Sequence, residues 1–349
     1  MSKGIVQIDR NFAFNTQFDE SLLNVIKASD VRLSLHGIFH DGNEYLRMPS
    51  DIASKISENV SILNKNTAGG RVRFRTDSEC ITLRCEMDHI DRVPHMPLTG
   101  TSGFDMYCCN DFIHAFAPSF NSVGGYSGVH WFNDKRMRDI TINFPLYNGV
   151  KELYIGFDKS AQILPAIPYT HALPIVSYGS SITQGGCASR PGRSYQSIIS
   201  RQLDADFINL GFSGSALGEI EVAHYIASLS MDVFIFDYDC NAPSPEHLSK
   251  THKPFFDIVR KAHPFLPIIF MTRPYTGSEL RWQKQHDIVK STYEQALESG
   301  DKNVYFIDGM AMFPSSECTV DLTHPNDYGF ECMAEKIIPP IRLIYDSLG

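Results

Sequence analysis

The strongest constraint on this chain is a change of rhythm near residue 165. Beyond it, short apolar runs alternate with amphipathic stretches. PIVSYGS, ADFINLGFSG, MDVFIFDYD, LPIIFMTRP and NVYFIDG read as strands, and YQSIISRQL, ALGEIEVAHYIASL, HLSKTHKPFFDIVRKAHP and SELRWQKQHDIVKSTYEQALESG read as helices. Strands apolar on both faces, each followed by a helix, require a parallel sheet covered on both sides. Before the change, RVRFRTD, CITLRCEM, RDITINFPLY and VKELYIGFD alternate or cluster β-branched and aromatic residues, with turns such as HDGNEY and NTAGGR between them. That half reads as a β-sandwich or jelly roll, with helical pattern confined to ASKISENVSILN at residues 53–64. ILPAIPYTHALP, residues 163–174, carries three prolines and suits an extended linker. The expected organisation is a β-sandwich over residues 1–165 and an α/β domain over residues 166–349.

The parallel sheet gives the polar residues their meaning. Ser181 follows the first strand, Gly211 and Gly214 the second, and Asn241 the third. Thr272, Arg273 and Pro274 follow the fourth strand and Asp308 the fifth, and Asp321 and His324 precede the last helix. All these points lie at the C-terminal strand ends, where open α/β sheets form their ligand crevices. Ser181 can attack a carbonyl, His324 can take its proton, and Asp321 can orient the imidazole. Ser177, Ser180 and Thr183 compete for the nucleophile's role. Ser181 is preferred because it would open the following helix, where backbone N–H groups face a developing negative charge. Asp308 competes with Asp321 as orienter. The backbone of Ser181, the backbone of Gly214 and the side-chain amide of Asn241 are the expected oxyanion donors.

Composition narrows the class. At 349 residues, 43% apolar and 20% charged, the chain can bury a large core; its net charge of −9 gives no reason to expect a nucleic-acid partner. No segment has the apolar length of a membrane span or an export signal, so no membrane partner and a cytoplasmic location are expected. Eight cysteines, two of them adjacent at Cys108 and Cys109, fit free thiols better than a disulfide scaffold. Neither a metal-ligand pattern nor a dinucleotide fingerprint is present, and Asp237 and Asp239 read as turn and cap residues. No cofactor is expected.

Four ordered blocks, GSSIT, NLGFSG, DYDCN and DLTHP, resemble those of the SGNH, or GDSL-type, hydrolase superfamily. The resemblance implies an SGNH-type three-layer fold with Ser181 as nucleophile, Gly214 and Asn241 as oxyanion donors, and Asp321 and His324 as acid and base. The family often has Gly where this chain has Asp239. GFDMY, residues 103–107, is similar to a G-x-D-L-Y signature found upstream of some bacterial esterases that pair a β-sandwich with the hydrolase, with Met106 in place of leucine. It implies a serine esterase removing O-acetyl groups from carbohydrates, with an acetylated oligosaccharide or another small ester as substrate. A lipase or thioesterase, and a noncatalytic carbohydrate-binding protein on the same scaffold, remain alternatives. Homo-oligomerisation is left open. The sandwich is a candidate for substrate selection through Gly125, Tyr126, His130 and Trp131, expected as a loop near Ser181. Arg190, Arg193, Arg273 and Trp282 stand as further residues able to approach the ester.

Overall fold

The structure is a computed structural model that describes residues 5–274 and 279–348. The strands of the first half, in chain order, are β1 (Leu23–Lys27), β2 (Ser34–His36), β3 (Arg71–Thr76), β4 (Cys80–Glu86), β5 (Phe104–Cys108), β6 (Asp111–Phe116), β7 (Gly125–Trp131), β8 (Arg138–Asn143), β9 (Glu152–Asp158) and β10 (Ile163–Pro165). These form two antiparallel sheets. One runs β1-β9-β4-β7; the other runs β10-β3-β8-β5-β6, with β2 also paired to β3. The short strands Phe39–His40 and Tyr45–Leu46 pair antiparallel as a separate two-stranded sheet. Alternation along the strands turns Ile81, Leu83, Ile155 and Phe157 of the first sheet toward Val72, Phe74, Ile140 and Ile142 of the second, in one shared core. The helical pattern at residues 53–64 becomes two helices, Ser50–Ile56 and Glu58–Leu63. Ser57 is extended between them and caps the second through its side chain.

The second half contributes β11 (His171–Gly179), β12 (Ala205–Gly211), β13 (Val233–Asp237), β14 (Ile268–Met271) and β15 (Val304–Ile307). These pair in parallel in the order β12-β11-β13-β14-β15. Its helices are α1 (Ser181–Gln184), α2 (Tyr195–Leu203), α3 (Ile220–Ala227), α4 (Pro245–Ala262), α5 (Leu280–Glu298) and α6 (Asp327–Leu348). On β13, Val233 and Ile235 pack with residues of α2 and α6, while Phe234 and Phe236 pack with residues of α3, α4 and α5. Both faces are therefore apolar, as a doubly covered sheet demands. The chain leaves β11 for β12 on one side and then crosses to β13 on the other. The switch of direction falls at the C-terminal end of β11, where such sheets open a crevice. The proline-bearing stretch is mostly strand: its start is β10 and its end lies within β11, leaving residues 166–170 between them.

Candidate active site

Ser181 is the first residue of α1, directly after β11. The turn is tight: a Cβ on Gly179 would lie 2.0 Å from the Asp237 carbonyl oxygen and 2.1 Å from Thr183 Oγ1, so no larger residue fits. The neighbouring hydroxyls are committed elsewhere or sealed. Ser180 Oγ accepts the N–H of Ile182, Thr183 Oγ1 donates to Asp237 Oδ2 at 3.0 Å, and Ser177 is fully buried within β11. Ser181 Oγ lies 2.9 Å from His324 Nε2.

The Asp-x-x-His spacing forms a self-bracing loop. Asp321 Oδ1 accepts the N–H groups of Thr323 at 3.1 Å and His324 at 2.8 Å, while Oδ2 lies 2.7 Å from His324 Nδ1. The Val320 N–H closes the loop onto the His324 carbonyl, and Leu322 takes a left-handed φ of 66°. Burial pushes the Asp321 carboxyl up, but the His324 N–H and imidazole outweigh this and hold it below the usual carboxylate range. His95, from the first half, places Nε2 3.9 Å from Asp321 Oδ2, beyond hydrogen-bond reach. Asp308 lies elsewhere: it caps Met310 and faces His286 Nε2 at 3.4 Å.

The glycine and asparagine blocks are tied together and to α1. Asn241 Nδ2 donates to the Phe212 carbonyl at 3.0 Å, and the Ser213 N–H donates to Gln184 Oε1 at 3.0 Å. Gly214 is exposed, with φ +66° and open space where a side chain would stand. Asp239 is fully buried, and its two oxygens each accept the Arg273 N–H at 3.1 Å, pinning the end of β13 to the end of β14. Burial pushes its carboxyl up to about 6.

The first half supplies supports, of which only Asp105 belongs to a sequence motif. Tyr147 Oη donates to the Ser181 carbonyl at 3.2 Å, and Gln184 Nε2 donates to the Leu146 carbonyl at 3.1 Å. Arg47, 2% exposed, donates to the carbonyls of Asn209, Gly211 and Leu63 and lies over the Phe212 ring at 4.5 Å. It braces the segment leading to Gly214. Asp105 of GFDMY is fully buried and accepts Asn143 Nδ2 at 2.7 Å, the Gly192 N–H at 2.8 Å and Arg190 Nη1 at 3.1 Å. Arg190 is thus engaged at the seam between the halves, and Arg193 pairs with Glu331 and Asp327. Arg273 stacks on Trp282 at 3.7 Å.

Residues 125–131 are a strand, β7, rather than a loop. Trp131 stands opposite Cys80, while Gly125 stands opposite Glu86, at the end of β4 that leads toward His95. Tyr126 Oη donates to the Ser102 and Phe116 carbonyls, and the His130 ring meets those of His114 and Phe132. These contacts stay within the first half, and Trp131 occupies the strand end remote from His95. A groove of about 270 Å³ lies instead along Tyr147, rimmed by Glu44, Lys65, Asp88, His89, Asp91 and Lys151.

Residues 172–342 match the GDSL-like lipase/acylhydrolase family, and residues 24–163 match the N-terminus of SGNH-hydrolase-type esterases that carries the GxDLY motif. A solved structure of a putative GDSL-like lipase from Bacteroides ovatus is 30% identical, with a TM-score of 0.84, over 93% of this chain and 98% of its own. The chain belongs to the GDSL-like lipase/acylhydrolase family. It is an SGNH-type esterase. The fold is shared with a salicylyl-acyltransferase from a tetracycline biosynthetic pathway, 18% identical, TM-score 0.78, over 93% of this chain and 98% of that one. It is also shared with a family two carbohydrate esterase from Clostridium thermocellum in complex with cellohexaose, 15% identical, TM-score 0.62, over 92% and 98%. No curated protein matches the chain by sequence.

Proposed function

We propose that this esterase removes O-acetyl groups from oligosaccharides through an acyl-enzyme. The observation that carries the reading is the continuous chain from Ser181 Oγ through His324 to Asp321, with links of 2.9 and 2.7 Å. Ser181 Oγ attacks the acetyl carbonyl as its proton passes to His324 Nε2. The resulting oxyanion faces the N–H groups of Ser181 and Gly214 and the amide of Asn241. The tetrahedral adduct collapses, the sugar oxygen leaves with the proton from His324, and acetyl-Ser181 remains. Water, deprotonated by His324, then attacks the acetyl carbon and releases acetate. Asp321 stays ionised, holds the imidazole tautomer and stabilises the imidazolium.

The carbohydrate part of the reading rests on the groove along Tyr147. Beside the apolar Ile62, Leu63 and Val93, its rim carries the Lys65–Glu44 pair at 2.8 Å and the His89–Asp91 pair at 3.1 Å, groups able to hydrogen-bond sugar hydroxyls. An acetyl xylan esterase from Butyrivibrio proteoclasticus shares the two-part fold, at 14% identity and a TM-score of 0.64. The test is acetate release from defined acetylated manno-, xylo- and gluco-oligosaccharides, set against hydrolysis of long-chain aryl esters. Preference for an acetylated oligosaccharide, lost in Ser181→Ala, is expected. Preference for long acyl chains would replace this reading with a lipase.

A further inference from the structure

The sheet face that meets the hydrolase half is polar, and its register sets two cross-strand rows. Arg71, Asn143 and Asp105 form one; Arg73, Thr141 and Tyr107 form the next. The first row is satisfied, because Arg71 pairs with Asp206 and Asp105 has the three donors described above. The second row is not. Arg73 is only 6% exposed, and its Nε and Nη1 have no hydrogen-bond partner among the described residues. Its Nη2 lies 4.0 Å from Asp139, whose carboxyl is itself pushed up by burial. Tyr169 covers the guanidinium at 3.8 Å.

Helix α2 lies opposite this row. Arg201 packs over the Tyr107 ring at 4.3 Å, and no ion pair within 4.0 Å is formed by it among the described residues. Between the two arginines is a cavity of about 40 Å³, also lined by Thr141, Ser197, Asn110 and Asp204. The carboxylate of Asp204 is already engaged by the N–H of Thr170 at 3.0 Å and its hydroxyl at 2.6 Å. Ser197 Oγ accepts the Ser194 hydroxyl, which leaves its own proton to donate. This volume holds about three water molecules. Asp139, 4.0 Å from Arg73 Nη2, and Asp204 bring negative charge to the cavity, but neither hydrogen-bonds Arg73 Nε or Nη1 or pairs with the partly buried Arg201. A compact oxyanion would satisfy these donors directly, and planar guanidiniums are well matched to its oxygens.

We propose that this seam cavity binds one small oxyanion of phosphate size, bridging Arg73 of the sandwich and Arg201 of the hydrolase. The site is distinct from Ser181 and acts by bracing the two halves against each other. Inorganic phosphate and a short carboxylate share the required chemistry, and the volume admits no organic tail. The test titrates the full chain with sodium phosphate, and separately with sodium acetate, at fixed ionic strength, by calorimetry and thermal unfolding. One saturable site per chain and a rise in Tm with either anion are expected; the tighter anion identifies the source. Arg201→Gln, at the less buried end, and Arg73→Gln each weaken binding by about tenfold or more, while the exposed Lys253→Gln leaves it unchanged. Absence of saturable binding of both anions to the wild type at millimolar concentration would overturn the proposal. So would equal affinity in Arg201→Gln and the wild type, and the wild-type titration decides even where Arg73→Gln fails to fold.

Discussion

Asp105→Asn tests what the GFDMY segment does. In the wild type one carboxylate oxygen accepts Asn143 Nδ2, and the other accepts both the Gly192 N–H and Arg190 Nη1. An amide keeps only one acceptor oxygen, so its NH2 must face a donor on one side or the other. Stripping a partner from a buried ion pair can cost about 3–5 kcal/mol. Here the charge contributes less than that. Burial outweighs the partners and pushes the Asp105 carboxyl above its ordinary value, and Arg190 retains the Tyr107 hydroxyl. The remaining loss is a buried N–H without an acceptor, about 1–3 kcal/mol, plus part of the Arg190 interaction. The expected destabilisation is about 2–4 kcal/mol. It is read from the urea midpoint, with aryl-acetate turnover measured well below the transition as a check that the site survives. A midpoint within about 0.5 kcal/mol of wild type would show that Asp105 does not clamp the seam.

Asp321→Asn should fold normally and lose about 10⁴-fold in kcat through the wrong imidazole tautomer, whereas Asp308→Asn should stay within a few-fold of wild type in the same aryl-acetate assay. Asp239 titrates near 6 in the folded chain against an ordinary 3.8, so the folded state holds an extra proton between those values. Stability should therefore fall as pH rises from about 4 to 6, by at most about 3 kcal/mol from this group, and Asp239→Asn should flatten that part of the Tm profile. Trp131 is exposed and at the remote end of β7. Trp131→Ala should change kcat/KM for acetylated oligosaccharides and aryl acetate equally little; a selective loss on the oligosaccharide would restore it as a sugar platform.

Much of this was legible in the sequence because it is local. The five parallel strands announce themselves as apolar runs between amphipathic helices. Asp321 and His324 are three residues apart, and one carboxylate spans both the His324 N–H and its ring. Ser181 stood out from Ser177, Ser180 and Thr183 by its place at the start of the helix after β11, but that Ser180 and Thr183 are engaged elsewhere shows only in the fold. Arg47, Tyr147 and Asp105 act on residues far along the chain: Gly211 lies 164 positions from Arg47, and Gly192 lies 87 from Asp105. No periodicity encodes such contacts. Trp131 illustrates the converse. Its glycine-rich, aromatic surroundings resemble a binding loop, but register with Cys80 decides which end of the strand it occupies.

The central claim is that Ser181 becomes acetylated during turnover. The direct measurement is rapid acid quench of the enzyme during aryl-acetate hydrolysis, followed by peptide mass mapping. One acetyl group on the peptide containing Ser181, absent from Ser181→Ala and accumulating when deacylation is slowed, is the expected result. Undiminished turnover in Ser181→Ala, or the acetyl group on a different residue with Ser181 unmodified, would contradict the account.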